Sequence, residues 1–249
     1  MSIENEQDLE GLRKIGKIVA EAREAILKAV RPGITTAELD EIGGSILNKY
    51  GAKSAPQVEY NFPGYTCISV NHVVAHGIPD RTVLQEGDYV NVDVSAVLDG
   101  YYCDTGASVV VGREAVNTKD DLCRCAEESL YLALEKVKAG GKLNQIGRAV
   151  QNEAKKRGFT VIKNLTGHGI GRKLHEEPDH ICNYYDKSDT RLLKEGWVLA
   201  VETFISTGAE YIDEGSDGWA YITPDKSLVA QYEHTVVVTK DKPIILTAI

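Results

Sequence analysis

Apolar residues recur every three or four positions near the start of the chain, at Leu9, Leu12, Ile15, Val19, Ala22 and Ile26. That spacing predicts an amphipathic helix with one buried stripe. Pro32 and Gly33 end it, and Thr35 or Thr36 is placed to cap a second helix with Leu39, Ile42 and Ile46 on its inner face. Further on, the period changes to two. In VNVDVSA, Val90, Val92 and Val94 alternate with Asn91, Asp93 and Ser95, which predicts a strand with one apolar and one polar face. In WVLAVETFIS, Glu202 shares a face with Val198, Ala200 and Phe204. A carboxylate buried among such neighbours must be neutralised, paired or bound to a cation, because isolated burial of charge is costly.

These patterns occur twice. Residues 30–51 align without gaps on 137–158, matching Val30 with Val137, Gly33 with Gly140, Leu39 with Ile146, Lys49 with Lys156 and Gly51 with Gly158. Residues 83–95 align on 192–204, matching Gly87 with Gly196 and Asp93 with Glu202. AHGI at 75–78 answers GHGI at 167–170, each half carrying its own insertion on a different side of that motif. The repeat predicts two helix, helix, strand, hairpin units forming one α/β domain over residues 1–249, with the strands of both halves in a shared curved sheet. The halves are expected at about 8–116 and 117–249, divided within the polar stretch REAVNTKDD.

The chain has 249 residues, 43% of them apolar, and can bury a sizeable core. Its formal net charge of -9 argues against nucleic acid or an anionic membrane as principal partner. It contains no apolar run long enough to span a bilayer, and MSIENEQDLEG does not read as a signal peptide, so a cytoplasmic location is expected. The five cysteines lack zinc-type CxxC pairs and are expected as free thiols.

Asp93, Asp104, Glu202 and Glu233 fall at matching places in the two halves, and few basic residues lie near them in sequence. A pair of divalent metal ions would neutralise them, and His168, between glycines in TGHGIG, supplies a plausible nitrogen ligand. A calcium-stabilised structural protein would use oxygen ligands alone and leave the glycine-flanked histidines unexplained. A binding protein that has lost its metals would be expected to lack ligands.

The motifs NHVVAHGIP, NVDVSAVLDGYYCDTG, TGHGIGRKLHEEP, AVETFIS and AQYEHTVVV closely resemble those of type I methionine aminopeptidases of the bacterial kind, in the same order along the whole chain. The resemblance implies the pita-bread fold, an α/β domain with an internal pseudo-twofold. It implies two divalent ions (Mn, Co, Fe or Zn) held by Asp93, Asp104, His168, Glu202 and Glu233, with Asp104 and Glu233 bridging. It also implies that the substrate is the N-terminal methionine of nascent polypeptides with a small second residue, and makes the ribosome a candidate partner. Glu202 would then act as general base, His76 would hydrogen-bond the scissile amide, and His175 would stabilise the oxyanion. The methionine slot would draw on Phe62, Tyr65, Cys67 and Trp219, with His76 and His175 at its mouth.

Two departures from the family pattern stand out: Thr203 follows Glu202 where many relatives have proline, and neither the eukaryotic N-terminal extension nor the type II insertion is present. A minimal catalytic domain is therefore expected, and since no feature of the sequence demands more, a monomer. Proline-specific peptidases of the same fold are the nearest rival, and they usually carry a separate N-terminal domain.

Overall fold

The computed structural model describes residues 1–112 and 118–249. The first half contains α1 (Glu6–Ala29), α2 (Thr36–Lys49), β1 (Lys53–Ser54), α3 (Ala55–Tyr60), β2 (Cys67–Val70), β3 (Val73–Ala75), β4 (Tyr89–Leu98) and β5 (Tyr101–Val110). The second contains α4 (Thr118–Leu134), α5 (Asn144–Lys156), β6 (Thr160–Val161), β7 (Gly167–Gly169), β8 (Glu176–Ile181), β9 (Val198–Ser206), β10 (Asp213–Glu214), β11 (Tyr221–Ile222), β12 (Val229–Val237) and β13 (Ile244–Ile245). The division expected between 116 and 117 lies outside the described residues.

Local chemistry accounts for the helices. Asn5 caps α1 by accepting from the Asp8 N–H, and the predicted stripe of Leu12, Ile15, Val19, Ala22 and Ile26 is fully buried, with Leu9 partly so. Thr35 rather than Thr36 caps α2. Its hydroxyl accepts from Glu38 N at 3.1 Å, and the Glu38 carboxylate accepts from Thr35 N at 2.8 Å, a reciprocal capping box.

The repeat is visible in the backbone. The glycine pairs matched by sequence share positive φ: 90° and 78° at Gly33 and Gly140, 72° and 80° at Gly51 and Gly158, 79° and 83° at Gly87 and Gly196. The isolated bridge Thr35 to Val83 recurs as Lys142 to Leu192. The strands β4 and β5 form a hairpin whose two turn residues, Asp99 and Gly100, both have positive φ, as a tight right-twisted hairpin requires. Its counterpart pairs β9 with β12, and the long connection between them carries β10 and β11, which join β3 in a small third sheet.

The valine face of β4 packs under α1 and α2, and the Leu199, Val201 and Ile205 face of β9 packs under α4 and α5. The two remaining faces turn toward each other. Asn91 and Ser95, which sequence alone could assign to a wet surface, are therefore 1% and 5% exposed. The strands of the two halves form two hydrogen-bonded sheets rather than one continuous ladder, and β5 and β12 meet at a central seam between them. Hydroxyls replace a backbone ladder there. Thr235 Oγ1 accepts from Asp104 N and donates to Asp104 O, both at 2.8 Å; Thr105 Oγ1 donates to Glu233 O at 2.9 Å; Ser108 Oγ donates to Gln231 O at 2.9 Å. The seam thereby carries one acid from each half to the centre of the molecule.

Candidate metal centre

Strand register brings the acids together. Asp93 lies opposite Gly106 on the β4–β5 hairpin and Asp104 opposite Ser95, while Glu202 and Glu233 are direct partners across β9 and β12. Like charges directly opposite on neighbouring strands destabilise a sheet, so this pairing calls for a compensating cation. Lysine and arginine do not supply one: among the described residues the only ion pair shown for these four acids is Glu202 with His168, at 3.8 Å from Oε1 to Nε2.

The histidine arrives on β7, opposite Ala200 of β9. Its Nδ1 lies 2.9 Å from Gly169 O, an acceptor only, so Nδ1 carries the proton and Nε2 presents a lone pair toward Glu202. This is the arrangement in which metal-binding imidazoles are held. Burial, and then neighbouring His175, push His168 down to about 3, so it stays neutral and able to ligate at ordinary pH.

Asp104, His168 and Glu233 each offer an atom within 4.8 Å of the others'. Asp104 Oδ1 and Glu233 Oε1 are buried without a hydrogen-bond partner. Burial raises all four carboxyls: Asp104 to about 6, and Asp93, Glu202 and Glu233 well above the carboxylate range, the neighbouring acids adding to the effect in these three. Two orphaned oxygens, a lone pair on nitrogen and crowded acids without a basic partner fit divalent cations.

The centre opens into a cavity of about 1150 Å³ whose wall includes His76, His175, Phe62, Cys67 and Trp219. Phe62 and Trp219 meet edge to face at 5.2 Å between centroids, and Cys67 lies across from Asp93 on β2. Tyr65 is a correction to the expected slot. It does not line this cavity; its ring packs on Gly44 of α2, where an added Cβ would come within 2.4 Å of it. The Asp40 carboxylate, accepting from Tyr65 N and Thr66 N, holds that segment against α2 and directs the ring there.

His76 follows β3 with φ of 56°, a left-handed conformation that non-glycine residues adopt at a cost, and its ring packs at a tilt of 45° against Tyr221, 4.9 Å between centroids. Burial lowers it to about 4, leaving it neutral. The His175 ring lies tilted by 47° against His168, 4.2 Å between centroids, and its Nδ1 is 2.8 Å from the Tyr60 hydroxyl.

Sequence reasoning missed Tyr60, and it missed Gln231, whose amide donates to Glu233 Oε2 at 3.0 Å. Gln231 precedes Glu233 by two and so shares its strand face, a signal the alternation could have yielded; Tyr60 had no such signal. His234 is a buried structural residue, with Nδ1 2.8 Å from Thr247 Oγ1, while His72 and His180 are exposed. Thr203 is fully buried, and its hydroxyl reaches Ala126 O of α4 at 3.0 Å, so this departure from the family pattern ties the Glu202 strand to a helix.

Comparison with known proteins shows the family to which the chain belongs. Residues 10–240 match metallopeptidase family M24. The chain is 58% identical to methionine aminopeptidase 2 of Bacillus subtilis over 99% of both chains. It superposes on a crystal structure of methionine aminopeptidase from Thermotoga maritima with TM-score 0.95, at 35% identity over 100% of each chain. A prolidase from Pyrococcus furiosus shares the fold alone, at 22% identity and TM-score 0.78, with this chain spanning 65% of its length. The chain belongs to metallopeptidase family M24, in its methionine aminopeptidase branch.

Proposed function

We propose that the protein removes the N-terminal methionine from peptides with a small second residue, using two divalent ions held by Asp93, Asp104, His168, Glu202 and Glu233. The observation that carries the metal reading is the pair of buried, unpartnered oxygens on Asp104 and Glu233, one from each half, beside the Nε2 lone pair of His168. Asp104 and Glu233, one from each half, would contribute ligands to the ions alongside Asp93, His168 and Glu202. When bound, such ions lower the pKa of a water and polarise a carbonyl, the two deficits that make amide hydrolysis slow.

The chain's own groups do the rest. The methionine side chain enters the apolar end of the cavity, against Phe62, Cys67 and Trp219. Glu202 takes the proton of the attacking water and passes it to the departing amine as the carbonyl carbon gains an oxygen and loses its nitrogen. His76, kept neutral by burial, hydrogen-bonds the scissile amide. In the tautomer where Tyr60 donates across its 2.8 Å contact to His175 Nδ1, His175 Nε2–H is the donor for the developing oxyanion.

We read the chain as a cytoplasmic monomer of two half-repeats acting on nascent polypeptides, with the ribosome as a candidate partner. Among the described residues no helix is long and apolar enough to cross a membrane. The test is to strip the protein with chelator, restore Mn or Co, and measure methionine released from Met-Ala-Ser and Met-Leu-Ser. Release from the first and little from the second is expected; release from neither would refute an aminopeptidase. Glu202→Gln should abolish turnover without altering the circular dichroism spectrum, and unchanged turnover would remove Glu202 from its role.

A further inference from the structure

A line of buried polar groups leads from the seam to Glu233. Asn91, Gln231 and Glu233 are 1%, 1% and 2% exposed. The direction of every hydrogen bond along this line follows from a backbone carbonyl. Ser108 Oγ has one proton, which it donates to Gln231 O at 2.9 Å, an oxygen that can only accept. Its lone pairs then accept from Gln231 N at 3.0 Å and Asn91 Nδ2 at 3.2 Å. The amino end of Asn91 is thereby fixed, and its Nδ2 also donates to Gln231 Oε1 at 2.8 Å. With Oε1 engaged as acceptor, Gln231 must turn Nε2 toward Glu233 Oε2, at 3.0 Å, and Glu233 Oε1 remains without a partner.

Space enforces the same arrangement. A Cβ on Gly106, across from Asp93, would come within 2.1 Å of Gln231 Oε1, so glycine leaves the room the amide occupies. With Glu233 ionised, as a ligand is, reversing that amide would set Oε1 against the carboxylate and one N–H against another, leaving buried groups unsatisfied.

We propose that Asn91 is a positioning residue: acting through Gln231, it holds Glu233 in the one orientation that leaves Oε1 free for a cation. The proposal rests on the metal-centre reading above and concerns no titration. Asn91→Leu removes the donor at similar size and frees the Gln231 amide to turn; Gln231→Met removes the donor to Glu233 directly.

The experiment is calorimetric titration of Mn²⁺ into chelator-stripped wild type, both single variants and the double variant. Each single variant should bind about tenfold more weakly, the scale on which groups supporting a ligand act. The double variant should bind no more weakly than Gln231→Met alone, since Asn91 has nothing left to act through. Wild-type affinity in Asn91→Leu, or losses that multiply in the double variant, would overturn the proposal while leaving the metal centre standing. A wild-type chain that takes up no Mn²⁺ would overturn both. If Asn91→Leu does not fold, the Gln231 side-chain amide in stripped wild type decides: one slowly exchanging pair of protons supports the proposal, and two interconverting sets refute it.

Discussion

Replacing a candidate ligand should stabilise the protein once metal is withheld. Asp104 is 8% exposed with Oδ1 unpartnered, and burial raises its carboxyl from 3.8 to about 6. The native state therefore holds this proton more tightly than the unfolded chain does. The resulting penalty on the native state is absent below the unfolded value of 3.8, grows as pH rises toward 6, and is constant above it. A difference of roughly two units amounts to about 3 kcal/mol at pH 7.5 and about 1 kcal/mol at pH 4.5. Asp104→Asn removes the charge at nearly the same shape. In urea denaturation with excess chelator, the variant should exceed wild type by at least about those amounts at the two pH values, because losing the Asp104 charge also relieves Asp93, Glu202 and Glu233. Taking the difference between two proteins cancels the buried histidines His76, His168 and His234, whose lowered values give the opposite pH dependence. Added Mn²⁺ should reverse the order, because only the intact ligand set gains binding energy. An advantage independent of pH, or a variant less stable than wild type at pH 7.5, would refute the account of the acids as an unpaired charge cluster.

Three other outcomes are expected. Tyr60→Phe, which loses the 2.8 Å contact to His175 Nδ1, should lower kcat for Met-Ala-Ser about tenfold with KM little changed, less than the roughly 100-fold loss of an oxyanion donor itself; an unchanged kcat would separate Tyr60 from the chemistry. Gly147→Ala on α5 would set a Cβ 2.2 Å from Cys182 O and 2.3 Å from Tyr184 O, and should destabilise by about 1 to 3 kcal/mol in urea titration. Thr203→Val, which loses the bond to Ala126 O, should cost about 1 kcal/mol of stability, and a neutral result would show that packing alone joins α4 to the Glu202 strand.

Much of this protein was legible in the order of its residues. The stripe from Leu9 to Ile26, the capping threonine and the alternation at Val90 to Ser95 are local patterns, and helix and strand periods express them directly. The matched glycines revealed the repeat because a left-handed backbone position favours glycine wherever it recurs. The acids and His168 could be picked out as candidates because a buried carboxylate without a basic neighbour must be neutralised, paired or bound to a cation. Tertiary structure alone decided the rest. Whether the Asn91 face was wet or buried depended on the other half folding over it. The seam of hydroxyls, the turn of Tyr65 toward Gly44, and the contacts of Tyr60 with His175 and of Asn91 with Gln231 join residues from 21 to 140 positions apart. Periodicity reports which way a side chain faces along its own element; what it meets there is set by how the elements pack, and the short-range order of the chain does not carry that information.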